Sequence, residues 1–255
     1  MRQFPAFLAD TGIVFGRCAR ATLRSKTNLL FGMLQPLLFL LLFGPLLDGL
    51  PTAEGTGGGA WDSLVPGLVV QLSLLGGSYV GLALIMERRL GVLERLQVTP
   101  VSRFALLLGR VLRDVVQLTA QSVLLVLLGL AFGLRAPLAG VMLGFVFAAL
   151  LSAGLSALSY GLGMRTESVP AFSAVANTAV MPAMLLSGVL LPMSLAPGWL
   201  DGISRAVPFR YTVDAVRDVF AGQYATGAVA VGAAVSVALA AGALAAGTRT
   251  FRPKA

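Results

Sequence analysis

The chain has 255 residues, of which 57% are hydrophobic and only 12% charged, and its mean hydropathy is +0.87. Soluble domains carry about a quarter charged residues, so this composition describes a membrane protein. One cysteine, Cys18, and no histidine exclude an internal disulfide, zinc clusters, histidine-ligated haem and histidine-based catalytic triads.

Near the N-terminus, Arg17, Arg20 and Arg24 fall on one helical stripe, while Leu8, Ile13, Phe15 and Leu23 offer apolar surface around it. That pattern suits an amphipathic helix lying in the membrane interface; a mobile basic tail is the alternative. A cleaved signal peptide is not expected, because the first long apolar run begins near Asn28 and can itself span a bilayer. Six runs lack Asp, Glu, Lys and Arg: 27–47, 63–86, 115–134, 136–164, 168–200 and 219–248. Each reaches the roughly 20 residues a helix needs to cross about 30 Å of hydrocarbon. The predicted spans are 28–47, 63–86, 104–134, 137–164, 169–191 and 224–248, in a single transmembrane domain. Pro36 and Pro45 predict a kink in the first. The Gly-rich connector after it ends at Trp61, an interfacial anchor type.

The stretch ERRLGVLERLQVTPVSR, 87–103, holds six charged residues between two apolar runs. Leu90, Leu93 and Leu96 recur at three-residue spacing with Glu87, Arg88, Glu94 and Arg95 on other faces, and Thr99-Pro100 suits the start of a new helix. The expectation is a short amphipathic helix over 87–98 that offers apolar knobs to a partner's groove. Only LRAP separates the third and fourth spans, which therefore form a tight hairpin, flanked by Gly129, Gly133, Gly140 and Gly144 at close-packing spacing. Pro170, Pro182, Pro192 and Pro197 punctuate the run 168–200, so the fifth span should end near Leu191. The segment 192–222 is too apolar for a solvated loop, yet Pro, Gly and charges interrupt it. Short re-entrant helices fit both facts, with a folded external loop as the alternative. The last span, dominated by Ala, Gly and Val, can pack closely on several sides.

Sorted by loop, fifteen of the nineteen Lys and Arg fall on the side of the termini and of 87–103. The positive-inside rule places that side in the cytoplasm. Neither Lys26, after TLRS, nor Lys254, after FRP, belongs to a P-loop. No Asp or Glu lies near the middle of a run, so no built-in proton relay is expected. Gln35, Gln71 and Asn177 are polar groups inside spans, where they line a pathway or bond between helices. Met181 and Met184 offer an adaptable apolar surface or ordinary packing. With Phe39 these are the candidate substrate-path residues. The abundance of Ala, Gly, Leu and Arg fits a high-GC bacterial source.

The run ERRLGVLERLQVTPVSR resembles the cytoplasmic loop of the ABC-transporter type 2 permeases, especially those of the daunorubicin-resistance exporter kind. LQPLLFLLLFG in the first span and LSGVLLPMSLAPGWLDGISRAVPFRYTVDAVRD near the end agree, and the resemblance covers about 7–248. It implies an all-α polytopic membrane protein: six transmembrane helices per protomer, an elbow helix over 7–26, a cytoplasmic coupling helix and external re-entrant helices. It also implies a dimer, either a homodimer or a pairing with a similar permease, seated on two copies of a separate P-loop ATPase. ATP and Mg would then belong to that partner, with no cofactor, catalytic residue or metal on this chain. Glu87, Arg88, Gly91, Glu94, Arg95, Leu96 and Pro100 match the coupling motif, with Leu93 among its apolar knobs. Segment 192–222 matches the external gate, with Pro192, Trp199, Pro208, Tyr211 and Arg217 at its positions. Phe209-Arg210 departs from the smaller or apolar residues expected there. The implied function is export of amphipathic drugs, antibiotics or lipid-like molecules from a bacterial cell by alternating access. A membrane anchor or sensor docking a cytoplasmic partner is the rival, and an intramembrane enzyme is not expected.

Overall fold

With no water in the hydrocarbon, a spanning segment must satisfy its backbone internally, so apolar runs of this length fold as helices. The structure, a computed structural model, describes residues 11–20, 26–48, 60–91, 103–189, 193 and 196–250, with no strand among them. The helices are α1 (11–20), α2 (Lys26–Asp48), α3 (Ala60–Tyr79), α4 (Gly81–Arg89) and α5 (Arg103–Phe132). After them come α6 (Leu138–Arg165), α7 (Val169–Leu186), α8 (Gly198–Ser204), α9 (Pro208–Phe220) and α10 (Gly227–Thr250).

Among the described residues, five stretches are long and apolar enough to cross a membrane: Trp61–Arg89, Phe104–Phe132, Leu138–Arg165, Val169–Leu186 and Gly227–Thr250. Helix α2 has 23 residues with Pro36 and Pro45 inside, and its apolar stretch Gly32–Pro45 is shorter. Helix α6 is the hub, packing on α3, α5, α9 and α10. Of the five spans, α7 is the least covered. The hairpin between α5 and α6 turns within 133–137, as its length predicts. Its Arg135 N–H donates to Asp62 Oδ1 at 2.8 Å, and Trp61 stacks on Phe132 with centroids 5.4 Å apart. The hairpin glycines do pack closely, but against other helices. A Cβ on Gly140 would lie 1.9 Å from the Val219 carbonyl oxygen, so α9 approaches α6 this closely because a glycine stands there.

The second span is interrupted at the single residue Val80, between α3 and α4, where the backbone keeps helical dihedrals (φ −62°, ψ −24°) and the Ser159 hydroxyl on α6 supplies polar partners. Helix α7 stops at Leu186, five residues before the expected end of the fifth span. Gly188 there adopts a left-handed φ of 74°, which turns the chain out of the helix. Helix α9 packs into the bundle, burying Val213, Val216 and Val219 among others, whereas α8 buries only Ser204. Thr212 and Ser236 share a hydroxyl hydrogen bond of 2.9 Å, and Ser236 lies nine residues, about 14 Å, below the first residue of α10. The expected short helices of 192–222 are thus α8 and α9. Protein covers its irregular backbone, since Tyr211 Oη donates to the Arg205 carbonyl at 2.9 Å and Arg210 donates to the Asp201 carbonyl at 3.0 Å.

Candidate functional site

The two ends of the bundle differ in charge. Arg17, Arg20, Arg88, Arg89, Arg110, Arg113, Arg165 and Arg249 sit at the end where α4, α6 and α10 finish, and Arg135, Arg205, Arg210 and Arg217 at the other. At the basic end, α4 carries the chain out of the second span. Its last turn is Glu87 to Arg89, and Gly91 with φ 68° then stops it. Glu87 accepts from buried Arg110 of α5 at 2.6 Å, and Arg88 donates to the Met164 carbonyl of α6 at 3.4 Å. Behind them, Arg113 pairs with Asp114 at 3.0 Å, the Tyr160 hydroxyl donates to Asp114 at 2.7 Å, and the Arg110 guanidinium lies 6.0 Å from the Tyr160 ring centre. Helix α1 lies over this network: Val14 and the Thr11 carbonyl abut Gly109 of α5. Burial pushes the Cys18 thiol up, while Arg110 and Arg113 act in the opposite direction.

The break above α4 ties this end to the bundle interior. Gly81 N–H donates to Ser159 Oγ at 2.8 Å, and Ser159 Oγ donates to the Ser78 carbonyl at 2.6 Å. A Cβ on Gly81 would lie 2.3 Å from the Ser159 carbonyl oxygen, so no other residue brings α4 so close to α6. Ser78 and Ser159 also line an apolar groove of about 260 Å3 between α3, α6 and α7, to which Phe209 of α9 contributes.

At the opposite end, Asp201 joins α8 to α9. It pairs with Arg210 at 2.6 Å and Arg205 at 2.8 Å, and Arg210 also approaches Asp214 at 3.6 Å. Hydrogen bonds from Arg210 and Arg205 hold the Asp201 carboxyl below the usual carboxylate range. Burial pushes Asp214 up against the opposing charge of Arg210. The departure at Phe209-Arg210 is thereby explained: Arg210 clasps the re-entrant turn, and Phe209 walls the groove. Arg217 is driven down by burial and donates to the Val189 carbonyl at 3.3 Å.

Of the coupling residues, Glu87, Arg88 and Gly91 are placed at the end of α4; the helix expected over 87–98 does not run unbroken, because α4 ends at Arg89 and the left-handed Gly91 turns the chain. Leu93, Glu94, Arg95, Leu96 and Pro100, with Arg24 and Pro192, lie outside the described residues. Arg17 and Arg20 are exposed on α1. Trp199 is exposed, Pro208 opens α9, and Tyr211 and Arg217 hold the re-entrant turn and its neighbour. The path residues do not form one cluster. Gln35 and Met181 are exposed, Tyr79 donates to the exposed Asn177, Phe39 and Met184 pack against the core, and Gln71 is fully buried. Arg110 and Arg113, read as loop charges, lie within α5, where the paired charges at the start of the third span were the available signal. Ser159 had none, being one serine in an apolar run.

These features define a multi-pass membrane protein of all-helical fold with a charged, latched helix end. Residues 10–221 match the family model for ABC-2 type transporters, and the chain belongs to that family. It is 29% identical over 217 residues to a Cyanophora paradoxa protein named as the transport permease ycf38, covering 84% of this chain and 75% of that one. Over 194 residues it is 29% identical to the daunorubicin resistance ABC transporter permease protein DrrB1 of Streptomyces coeruleorubidus, covering 74% and 67%. It is also 27% identical over 161 residues, 62% of this chain, to an Escherichia coli K12 protein named as the multidrug ABC transporter permease YbhR, and spans 43% of that protein's length. The chain is thus the membrane subunit of an ABC transporter, and membership implies pairing with an ABC ATPase.

Proposed function

We propose that the chain is the permease of an ATP-driven exporter that moves amphipathic drug-like, antibiotic or lipid-like molecules out of a bacterial cell. The observation that carries this reading is the latch at the end of α4. The segment that follows Gly91 leaves a helix whose last turn is fixed to α5 by Glu87 and Arg110 and to α6 by Arg88. A push on residues 93–100 therefore reaches the bundle through α4. Leu93, Leu96 and Pro100 would seat in the ATPase, with Glu94 and Arg95 at the rim. In this reading two permeases, identical or similar, sit on two ATPase copies that alone bind ATP and Mg. Closure of the ATPases biases the permease from an inward-open to an outward-open state. The charge asymmetry supports a plasma-membrane topology with six spans, both termini in the cytoplasm and the α8–α9 gate outside. The uncovered faces of α2 and α7, carrying Gln35, Asn177 and Met181, suit the partner protomer and the path.

The test is Glu94→Arg with Leu96→Asp. The doubly changed chain should remain in the membrane but lose co-purification with its ATPase and lose ATP-driven export in reconstituted vesicles. Retention of both would overturn the docking assignment. Co-purification without export by the unchanged pair would favour an anchor or sensor instead.

A further inference from the structure

Helix α5 leaves one long side uncovered. Leu112, Val116, Ala120, Val123 and Leu127 are exposed and recur at the spacing of one helical stripe. Gly109 begins the same stripe but is buried, because α1 lies on it: a Cβ there would stand 2.8 Å from Val14. Helix α1 therefore caps the stripe at the basic end of the bundle. Its level is set by the next residue, Arg110, which pairs with Glu87 where the second span ends. From Leu112 to Val123 the stripe runs about 16 Å, half of a hydrocarbon core of about 30 Å and so the depth of one leaflet. Of its five residues only Ala120 is small, whereas helices that pack together in a membrane meet through small residues. The stripe thus suits acyl chains better than another helix.

The cap is basic. Ile13, Arg17 and Arg20 recur at i, i+4 and i+7 on α1, all exposed, about a quarter turn round the helix from the docked Val14. On α5, Arg110 is matched by Glu87 and Arg113 by Asp114. Among the described residues no carboxylate pairs with Arg17 or Arg20, and Arg20 donates only to the Gly16 carbonyl of its own helix, at 3.1 Å. Two unmatched cations and an apolar side chain therefore stand at the head of an apolar stripe one leaflet deep. We propose that this is a site for one anionic phospholipid of the leaflet at the basic end, with its chains along α5 and its phosphate on Arg17 and Arg20. An interfacial position alone does not choose between lipids, but the charge count does. A zwitterionic head brings its own cation, whereas an anionic head leaves its negative charge to the two arginines. A lipid held there fixes α1 across Gly109, beside the Arg110 that fastens α4.

The experiment places the full chain, without ATPase, in phosphatidylcholine nanodiscs that contain a small fraction of phosphatidylglycerol with a photoreactive diazirine in its tail. Phosphatidylcholine with the same tail is the reference, and adducts are mapped by mass spectrometry. Phosphatidylglycerol should label 112–123 about tenfold more than the reference, as two arginines at a membrane surface would give. Arg17→Gln with Arg20→Gln should bring the two lipids to the same level, and Arg17→Lys with Arg20→Lys should keep most of the preference. Both residues are exposed, so neither pair of changes touches the core. Amide exchange over 11–20 should be slower with phosphatidylglycerol in the parent and not in the glutamine variant. Equal labelling by the two lipids in the parent, or a preference that survives the glutamine changes, would overturn the site. Displacement of the labelled lipid by inorganic phosphate or by a polyglutamate peptide would also overturn it, and would assign the arginines to a soluble anion or an acidic protein. Neither ATP nor export enters the measurement, so the exporter reading stands or falls separately.

Discussion

Ser159→Ala removes one oxygen and leaves two groups at the α3–α4 break without their partner. Gly81 N–H loses its 2.8 Å acceptor and the Ser78 carbonyl loses its 2.6 Å donor. Both lie among buried residues, where an orphaned polar group costs about 1–3 kcal/mol. The carbonyl suffers less than the N–H, because it retains a second lone pair for relaxed contacts. The summed loss should be about 2–3 kcal/mol, a shift of roughly 30- to 150-fold in the folded ratio. Reversible unfolding in mixed micelles measures it. Ser122→Ala is the matched control: its hydroxyl bonds only to the Leu118 carbonyl of its own helix, and its removal leaves no N–H orphaned. That control should cost under about 0.5 kcal/mol. If the two substitutions cost the same, the Ser159 bridge does not hold the α3–α4 junction.

Asp114→Ala should destabilise by about 3–5 kcal/mol, because Arg113 and the Tyr160 hydroxyl both lose a buried partner. Glu87→Gln should cost less, since that carboxylate keeps about a third of its surface in solvent; both are read from the same unfolding curves. Gln71→Leu should raise stability by about 1 kcal/mol or more, because it removes an unpaired buried amide of similar shape; a loss of stability would show that Gln71 is satisfied in the empty protein. For Asp201, the folded pKa lies below the unfolded value of about 3.9. Its stabilisation is therefore present above that value and lost as pH falls through the folded pKa. Asp214, raised by burial, works with the opposite sign, so the comparison needed is the parent against Asp201→Asn. Amide exchange over α8 and α9 should be faster in Asp201→Asn at neutral pH, and the difference should vanish in acid; a pH-independent difference would refute the clasp.

Apolar run length fixed the long helices because, in hydrocarbon, length and lack of charge decide what can span. The ends of α5, α6 and α10 fall within three residues of the spans read from sequence. The break at Val80 was not legible, because its cause is the hydroxyl of Ser159, 79 residues further on, and Val80 and Gly81 look like ordinary span residues. The re-entrant pair was half legible. Proline and charge spacing marked 192–222 as irregular, but its depth came from Thr212 meeting Ser236. Glu87 could be located from its charge, yet its bond to Arg110 depends on how α4 meets α5 and has no sequence signature. The path residues scattered for the same reason: polarity flags a residue in a span, whereas the face it presents is set by partners in the folded bundle.

The chemistry of the break bears on how motion could pass through it. In an unbroken helix the Gly81 N–H would go to the carbonyl of Gly77, four residues back. Here it also meets the Ser159 hydroxyl, at 2.8 Å. A proline at this position would also break the helix, but it would delete the donor and make the bend permanent. Glu87 and Arg88 hold the far end of a nine-residue arm about 13 Å long. The arm is thus fixed at both ends, by Ser159 at its start and by Arg110 and the Met164 carbonyl at its last turn.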